Sequence, residues 1–327
     1  MKLVNQSCKI IEQESGSQGV YRAIEQAGRT CYKSEDKATN TSAGEFVDRM
    51  INSKHYAMLE FGTVYLKQSV EGLMNQINPL TDRYKSNKYS KVITVIDDDY
   101  KINLGNTKFF YHTTYITTNL RVLVENDWLD DLQFMCEPTK YHEKRICVKF
   151  TCDRGISLEL VRHRVFSFAQ ESTRYCNYSK DKFGNELTYI IPSWVHNLKE
   201  ATLEELSKVY GDNPEKLAKI NKYYSPDNYE NDWVIQILDI ENLYFALLKK
   251  WDDTDKRYKT EFRNNPLTPQ EARCILPNCL KTEINMCGFT SDWEHVFKLR
   301  DNSHAHPDIQ ALMRPLHEEF KKKFKIK

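Results

Sequence analysis

This 327-residue chain has no long hydrophobic run. Nothing in it approaches the ~18 consecutive apolar residues of a membrane span, so a soluble protein is expected. An excess of one charge is lacking too: 47 Lys and Arg face 46 Asp and Glu, a net charge of +1 that leaves no global field for wrapping nucleic acid or coating a membrane. Any anion site must therefore be local. The N-terminal stretch MKLVNQSCKIIEQES lacks the apolar core of a signal peptide, so a cytoplasmic location is expected, with the nine cysteines as thiols. There is no C-x2-C. The nearest pairs, Cys147 with Cys152, Cys274 with Cys279 and Cys279 with Cys287, make no tetrahedral ligand set with the scattered histidines, and no metal is expected. Internal repeats, low-complexity blocks and a clear linker are missing as well. What remains, 40% hydrophobic and 28% charged, is enough for a sizeable core.

The patterning reads as α/β followed by helices. A strand is expected over 8–14 and a helix over 18–32. Ser42 and Glu45 have capping-box spacing for a second helix striped by Phe46, Met50 and Ile51, and the end of 55–67 alternates like a strand. Residues 68–145 read as an insertion with a helix, strands near 91–96 and 108–116, a helix from Asn119, and a turn-rich, mobile stretch from Pro79 to Ser90. Residues 146–152 form a β-rich run ending at Asp153, an N-cap for the helix of Ile156, Leu160 and Val161, which delivers Arg162, His163 and Arg164 at its far end. From about 202 the chain reads as mostly helical. Thr202 with Glu205 makes a capping box, Trp233 to Trp251 stripe a long helix, and Thr268, Pro269 and Glu271 open another. Ser291 with Glu294 starts the next, and Ile309, Leu312, Met313, Leu316 and Phe320 stripe the last. One α/β (α+β) domain over 1–327 is the expected fold class, with an insertion at about 68–145.

The segment richest in chemistry is RHRVFSFAQESTRYCNYSK, residues 162–180. It gathers Arg162, His163, Arg164 and Arg174 among the hydroxyls of Ser167, Ser172 and Thr173. Guanidiniums close together call for anions, and their planar forks suit phosphate oxygens two at a time. Gln170, Glu171, Ser172 and Thr173 look built to surround something polar, with backbone N–H groups on a phosphate. The plainer alternative is a helix ending in solvated cations that favour its C-terminal dipole.

RHR, seven residues and a Ser, then x-Arg-Tyr resembles the signature of the flavin-dependent thymidylate synthases, matched here by Arg162-His163-Arg164, Val165 to Glu171, Ser172, Thr173, Arg174 and Tyr175. Further resemblance lies in His55-Tyr56-Ala57-Met58-Leu59-Glu60, in Ala272-Arg273-Cys274-Ile275-Leu276-Pro277, and in Leu299-Arg300 followed by Ser303-His304-Ala305. The resemblance implies a central, mostly antiparallel sheet with flanking helices, and FAD as cofactor. It implies NADPH and methylenetetrahydrofolate as co-substrates, dUMP as the methylated substrate, and a homotetramer with shared sites, without nucleic-acid or membrane partners. The missing G-x-G-x-x-G fingerprint fits, since that family uses no Rossmann fold.

Position by position, the resemblance places Arg162, His163 and Arg164 on FAD, with Arg162 also near the nucleotide. His55, Ala57, Glu60, Gln170, Ser291 and His295 fall at other flavin positions. Glu159 falls at a dUMP contact that is usually Gln, and Gln170 where many members have Glu. Gln170, Glu171, Ser172, Thr173 and Arg174 would form the dUMP loop, completed by Arg273 and Arg300. Arg300 would be the catalytic residue, stabilising negative charge on the uracil edge as N3 ionises. Three competing readings stay open on sequence: a related flavoenzyme acting on another pyrimidine nucleotide, a nucleic-acid-binding module and a silent nucleotide-binding homologue.

Overall fold

The computed structural model of the protein describes residues 1–73, 79–104, 107–195, 229–248 and 266–326. At its centre is a four-stranded, wholly antiparallel sheet in the order β2 (Ser7–Ile11), β6 (Arg145–Asp153), β9 (Lys281–Phe289) and β7 (Ser167–Gln170). Strand β9 is covered on both faces. Ile284 and Met286 join a core closed by Trp293, Val296 and Phe297 of α8 (Thr290–Arg300) and by Ile309, Leu312, Met313, Leu316 and Phe320 of α9 (Pro307–Phe324). Cys287 and Ala169 face a second core made with Val20, Ile24 and Ala27 of α1 (Gly16–Tyr32) and Phe46 and Val47 of α2 (Ser42–Asn52). The expected antiparallel sheet with flanking helices is therefore what the chain forms.

Among the described residues, two smaller sheets accompany it. β1 (Lys2–Val4) pairs in parallel with β8 (Thr188–Ile190). β3 (Thr63–Leu73), β5 (Thr107–Asn119) and β4 (Lys91–Leu104) form an antiparallel sheet in the order β3, β5, β4. The β3–β5 ladder runs unbroken from Thr63 opposite Asn119 to Leu73 opposite Phe109, so position 68 lies inside a continuous strand, whereas 145 coincides with the start of β6. The stretch from Pro79, expected as turns, contains α3 (Pro79–Lys85), anchored where the Tyr84 hydroxyl donates to Asp131 at 2.9 Å. Asn119 caps α4 (Leu120–Glu125), its Oδ1 accepting from the Val122 N–H at 3.2 Å.

Several local expectations need correction. Ser42 caps nothing: its hydroxyl donates to Glu25 at 2.7 Å and accepts from the Thr39 N–H at 2.8 Å, and α2 begins after Thr41. The helix expected from Ser291 begins at Thr290, with Asp292, not Glu294, reaching back to accept from the Phe289 N–H at 3.3 Å. β9 lies in a region read as helical. Asp153 does cap α5 (Arg154–Leu160), its Oδ1 accepting from Ile156 N–H at 2.6 Å, but the helix stops at Leu160, and Arg162, His163 and Arg164 occupy the turns beyond it. The Thr268–Glu271 capping box is present at the start of α7 (Pro269–Ala272), with Thr268 N–H and hydroxyl donating to Glu271 at 2.9 and 2.8 Å. The long helix expected from Trp233 is α6 (Tyr229–Leu248), while Thr202, Glu205 and Trp251 lie outside the described residues.

Two packing details position the site. The Trp293 indole donates to the Ile146 carbonyl at 3.1 Å, pinning α8, and the arginine at its end, over β6. Gly288 lets the Phe166 ring lie against β9: a Cβ there would stand 2.4 Å from a ring carbon. Among the described residues, no helix is long and apolar enough to cross a membrane.

Candidate functional site

Arg300, the last residue of α8, is held by all three guanidinium nitrogens. Nη1 donates to Glu159 Oε2 at 2.5 Å, Nη2 to the Glu159 carbonyl at 3.4 Å, and Nε to His163 Nε2 at 3.2 Å. Residues 141 and 137 positions apart thus form one cluster. Because Nε2 accepts from a guanidinium, His163 keeps its ring proton on Nδ1, and that N–H is what the ring has left to donate. Burial, then the charges of Arg300 and His295, push its pKa down to about 4, so the imidazole is neutral at physiological pH.

The loop after β7 is oriented by a buried ion network. Glu171 is 3% exposed; its carboxylate accepts from the Tyr178 hydroxyl at 2.9 Å and from Lys281 at 2.9 Å. Lys281 also reaches Glu283 at 3.1 Å, and Glu283 pairs with Lys149 at 2.6 Å and with Lys33. Burial alone would raise the Glu283 pKa, but Lys281, Lys149 and Lys33 hold it well below the usual carboxylate range; Lys281 is raised by Glu171 and Glu283 against its own burial. The carboxylate expected at the ligand is therefore turned inward, and Glu171 holds the loop in place.

The backbone of this loop is also largely committed. Glu171 N–H donates to the Glu283 carbonyl at 2.8 Å, Ser172 N–H to Cys31 at 3.0 Å, Arg174 N–H to the Ser172 hydroxyl at 3.3 Å, and Tyr175 and Cys176 N–H to the Ser172 carbonyl at 3.3 and 3.0 Å. Five donors of the expected backbone cradle are thus taken up, which leaves anion binding mainly to side chains. From this loop Thr173 lines an open cleft of about 420 Å³, together with Arg154, Gln270, Arg273, Cys274 and Leu276. Arg273 donates to Thr173 at 3.5 Å, and exposed Arg174 donates to Gln270 at 3.0 Å. Gln170 is held from below, its amide donating to Ser157 at 2.9 Å and Thr282 at 3.2 Å.

On the opposite side of the motif, Arg145 joins two segments that lie far apart in sequence. It donates to the Glu60 carbonyl at 2.8 Å and to the Ser167 hydroxyl at 3.2 Å, tying the turn of His55, Ala57 and Glu60 to β7. The Glu60 carboxylate is bound by Arg121, while His55 and Ala57 are exposed. Arg162 and Arg164 are exposed and hold no ion pair among the described residues. Ser291 is exposed and donates its N–H to Glu143 at 3.0 Å, and His295 is exposed but near enough to His163 to shift it.

The family described as thymidylate synthase complementing protein matches residues 143–324, which contain Glu159, the whole arginine-rich segment, Arg273 and Arg300. The chain belongs to the flavin-dependent thymidylate synthase family. It is similar to a flavin-dependent thymidylate synthase of Mycobacteroides abscessus, 24% identical over 159 residues, 49% of this chain and 50% of the relative; the chain thus spans about half the length of that curated relative. Among solved structures it is similar to the UMP/dUMP methylase PolB of Streptomyces cacaoi bound with 5-Br UMP (12% identity, 98% of this chain and 92% of that one, TM-score 0.38). Thymidylate Synthase X of Helicobacter pylori with FAD and dUMP is a second (14% identity, 98% and 97%, TM-score 0.34).

Within this family member, three residues at the site were not singled out in the sequence: Arg145, Arg154 and Lys281. Each is a basic residue at a strand or helix terminus, with no local pattern to distinguish it. The neutral His163 also carries a pH dependence. Its folded pKa of about 4 lies below the ~6.5 of a free imidazole, so the unfolded chain binds a proton that the folded chain refuses. The stabilising contribution is complete above about pH 6.5 and is lost as pH falls towards 4. Urea unfolding between pH 7 and 4 is expected to show this loss, and His163→Gln is expected to flatten that part of the profile; an unchanged slope in the variant would reject the assignment.

Proposed function

We propose that this chain makes dTMP from dUMP, transferring the methylene of methylenetetrahydrofolate to the pyrimidine, with FAD as its flavin and NADPH as reductant. The observation that carries the reading is the clamp on Arg300: Glu159 of α5 and His163 of the arginine-rich segment hold the guanidinium at 2.5 and 3.2 Å. A cation so held needs no reorganisation when negative charge develops on a uracil edge beside it, which is how preorganised electrostatics lowers a barrier. Arg174 and Arg273 supply fixed positive charge for the nucleotide phosphate, and Thr173 a hydroxyl. Exposed Arg162 and Arg164, free of carboxylate partners among the described residues, suit the diphosphate of FAD. When bound, FAD would supply the hydride that turns the transferred methylene into a methyl group. His163, neutral, would offer its Nδ1 proton as a hydrogen bond without adding charge. Assembly as a homotetramer belongs to the same proposal and is read by sedimentation velocity.

The deciding experiment is an absorbance spectrum of the purified protein, repeated with added FAD and then dUMP, followed by a dTMP assay with NADPH and methylenetetrahydrofolate. Flavin bands that co-elute with the protein and shift with dUMP, then dTMP formation dependent on the folate, support the proposal. No flavin binding with excess FAD and nucleotide defeats it, and a different pyrimidine product would assign the chain to another nucleotide. Arg174→Ala is expected to weaken dUMP binding by about 10-fold or more, the value of a hydrogen bond to a charged group; unchanged affinity by calorimetry would remove Arg174 from the phosphate.

A further inference from the structure

We infer that Arg154 is a third residue on the nucleotide's 5′-phosphate, beside Arg174 and Arg273, an inference that rests on the pyrimidine-nucleotide reading above. Arg154 opens α5 immediately after the Asp153 cap, and its N–H donates to the Asn278 carbonyl at 2.8 Å, which ties it to the segment that follows Arg273. Its side chain lines the same open cleft as Arg273, Thr173 and Gln270. Two guanidiniums thus line one volume, and a third stands next to it, because the lining residue Gln270 accepts from Arg174 at 3.0 Å.

Among the described residues, that volume has no acidic residue in its lining and Arg154 holds no ion pair. Like charges facing one space repel until an anion enters, and guanidinium forks match phosphate oxygens in pairs. Five backbone donors of the loop, those of Glu171, Ser172, Arg174, Tyr175 and Cys176, are committed to Glu283, Cys31 and the loop itself. Charge for a phosphate dianion must therefore come from side chains, and Arg154 stands beside Arg273 to provide it.

The cleft also contains its own reporter. Cys274 is the exposed one of the nine cysteines and lies in the lining. The experiment compares the wild-type chain with Arg154→Met and Arg154→Lys, titrating each with dUMP and with deoxyuridine, and following iodoacetamide alkylation of Cys274 with and without dUMP or inorganic phosphate. Arg154→Met is expected to bind dUMP about 10- to 100-fold more weakly, with deoxyuridine unaffected and protection of Cys274 reduced. Arg154→Lys, which keeps the charge but not the fork, is expected to fall between. Wild-type dUMP affinity in Arg154→Met overturns the inference, as does an equal loss for dUMP and deoxyuridine. If phosphate protects wild-type Cys274 and not that of Arg154→Met while dUMP fails to bind, the anion site stands and the pyrimidine reading falls. If neither dUMP nor phosphate binds or protects, both fall.

Discussion

Under the proposed function, Arg300→Ala is expected to cut the rate of dTMP formation by about 10²- to 10³-fold, the usual loss when one preorganised donor to a developing anion is removed. The effect follows from how the side chain is held. Its guanidinium is fixed by Glu159 at 2.5 Å and by His163 at 3.2 Å, so the charge is in place before any substrate arrives. Arg300→Lys is expected to recover little, because a single ammonium cannot replace three separate contacts, two to Glu159 and one to His163. The comparison must be made under saturating dUMP, with a thermal melt to show that each variant is folded. A variant lacking the guanidinium that turns over at the wild-type rate would remove Arg300 from the chemistry and leave the clamp as a structural ion pair.

The second large effect is on stability. Lys281→Met is expected to cost about 3–5 kcal/mol in urea unfolding, since removing one partner of a buried ion pair strands the other. Here Glu171, at 3% exposure, loses its 2.9 Å partner and retains the Tyr178 hydroxyl and a more distant Lys33 at 3.7 Å. Because Glu171 anchors the loop that carries Ser172, Thr173 and Arg174, nucleotide affinity is expected to fall together with stability. Lys281→Met combined with Glu171→Leu is expected to regain much of the stability, because an apolar pair no longer contains an uncompensated charge. If the double variant is as unstable as the two singles summed, the pair is not coupled and the loop is held by something else.

The local code of the chain proved legible wherever one residue speaks for its own neighbourhood. Asp153 caps the helix expected of it, a helix starts at Asn119 as expected, the Thr268 box forms, and the stripe of the last helix is buried as a set. The code failed at β9, KTEINMCGF, whose residues from Ile284 to Phe289 are all buried. A strand covered on both faces has no polar side to alternate with, so the period-2 signal that marks a half-buried strand is absent. β7 escaped notice for a different reason. Its four residues lie inside the arginine-rich segment, where hydroxyls and charges suggested a loop. Ser42 misled because it is the first residue of its helix, one position past the cap, and its hydroxyl serves Glu25 in place of its own helix end.

The sequence by itself determined which residues this protein has to work with: the RHR segment, Ser172 and Arg174, and the two distant arginines, in the order and spacing of the family to which the chain belongs. Only the tertiary structure decided how they are used. It set Arg300 against Glu159 and His163, turned Glu171 away from the cleft and onto Lys281, committed the backbone donors of the loop, and brought Arg154 beside Arg273. Apart from the loop donors used within their own turn, these contacts join residues more than 100 positions apart, and helix and strand register fix which side chains meet across such a gap. No local spacing encodes that, because loop closure and the packing of two cores against β9 settle it cooperatively.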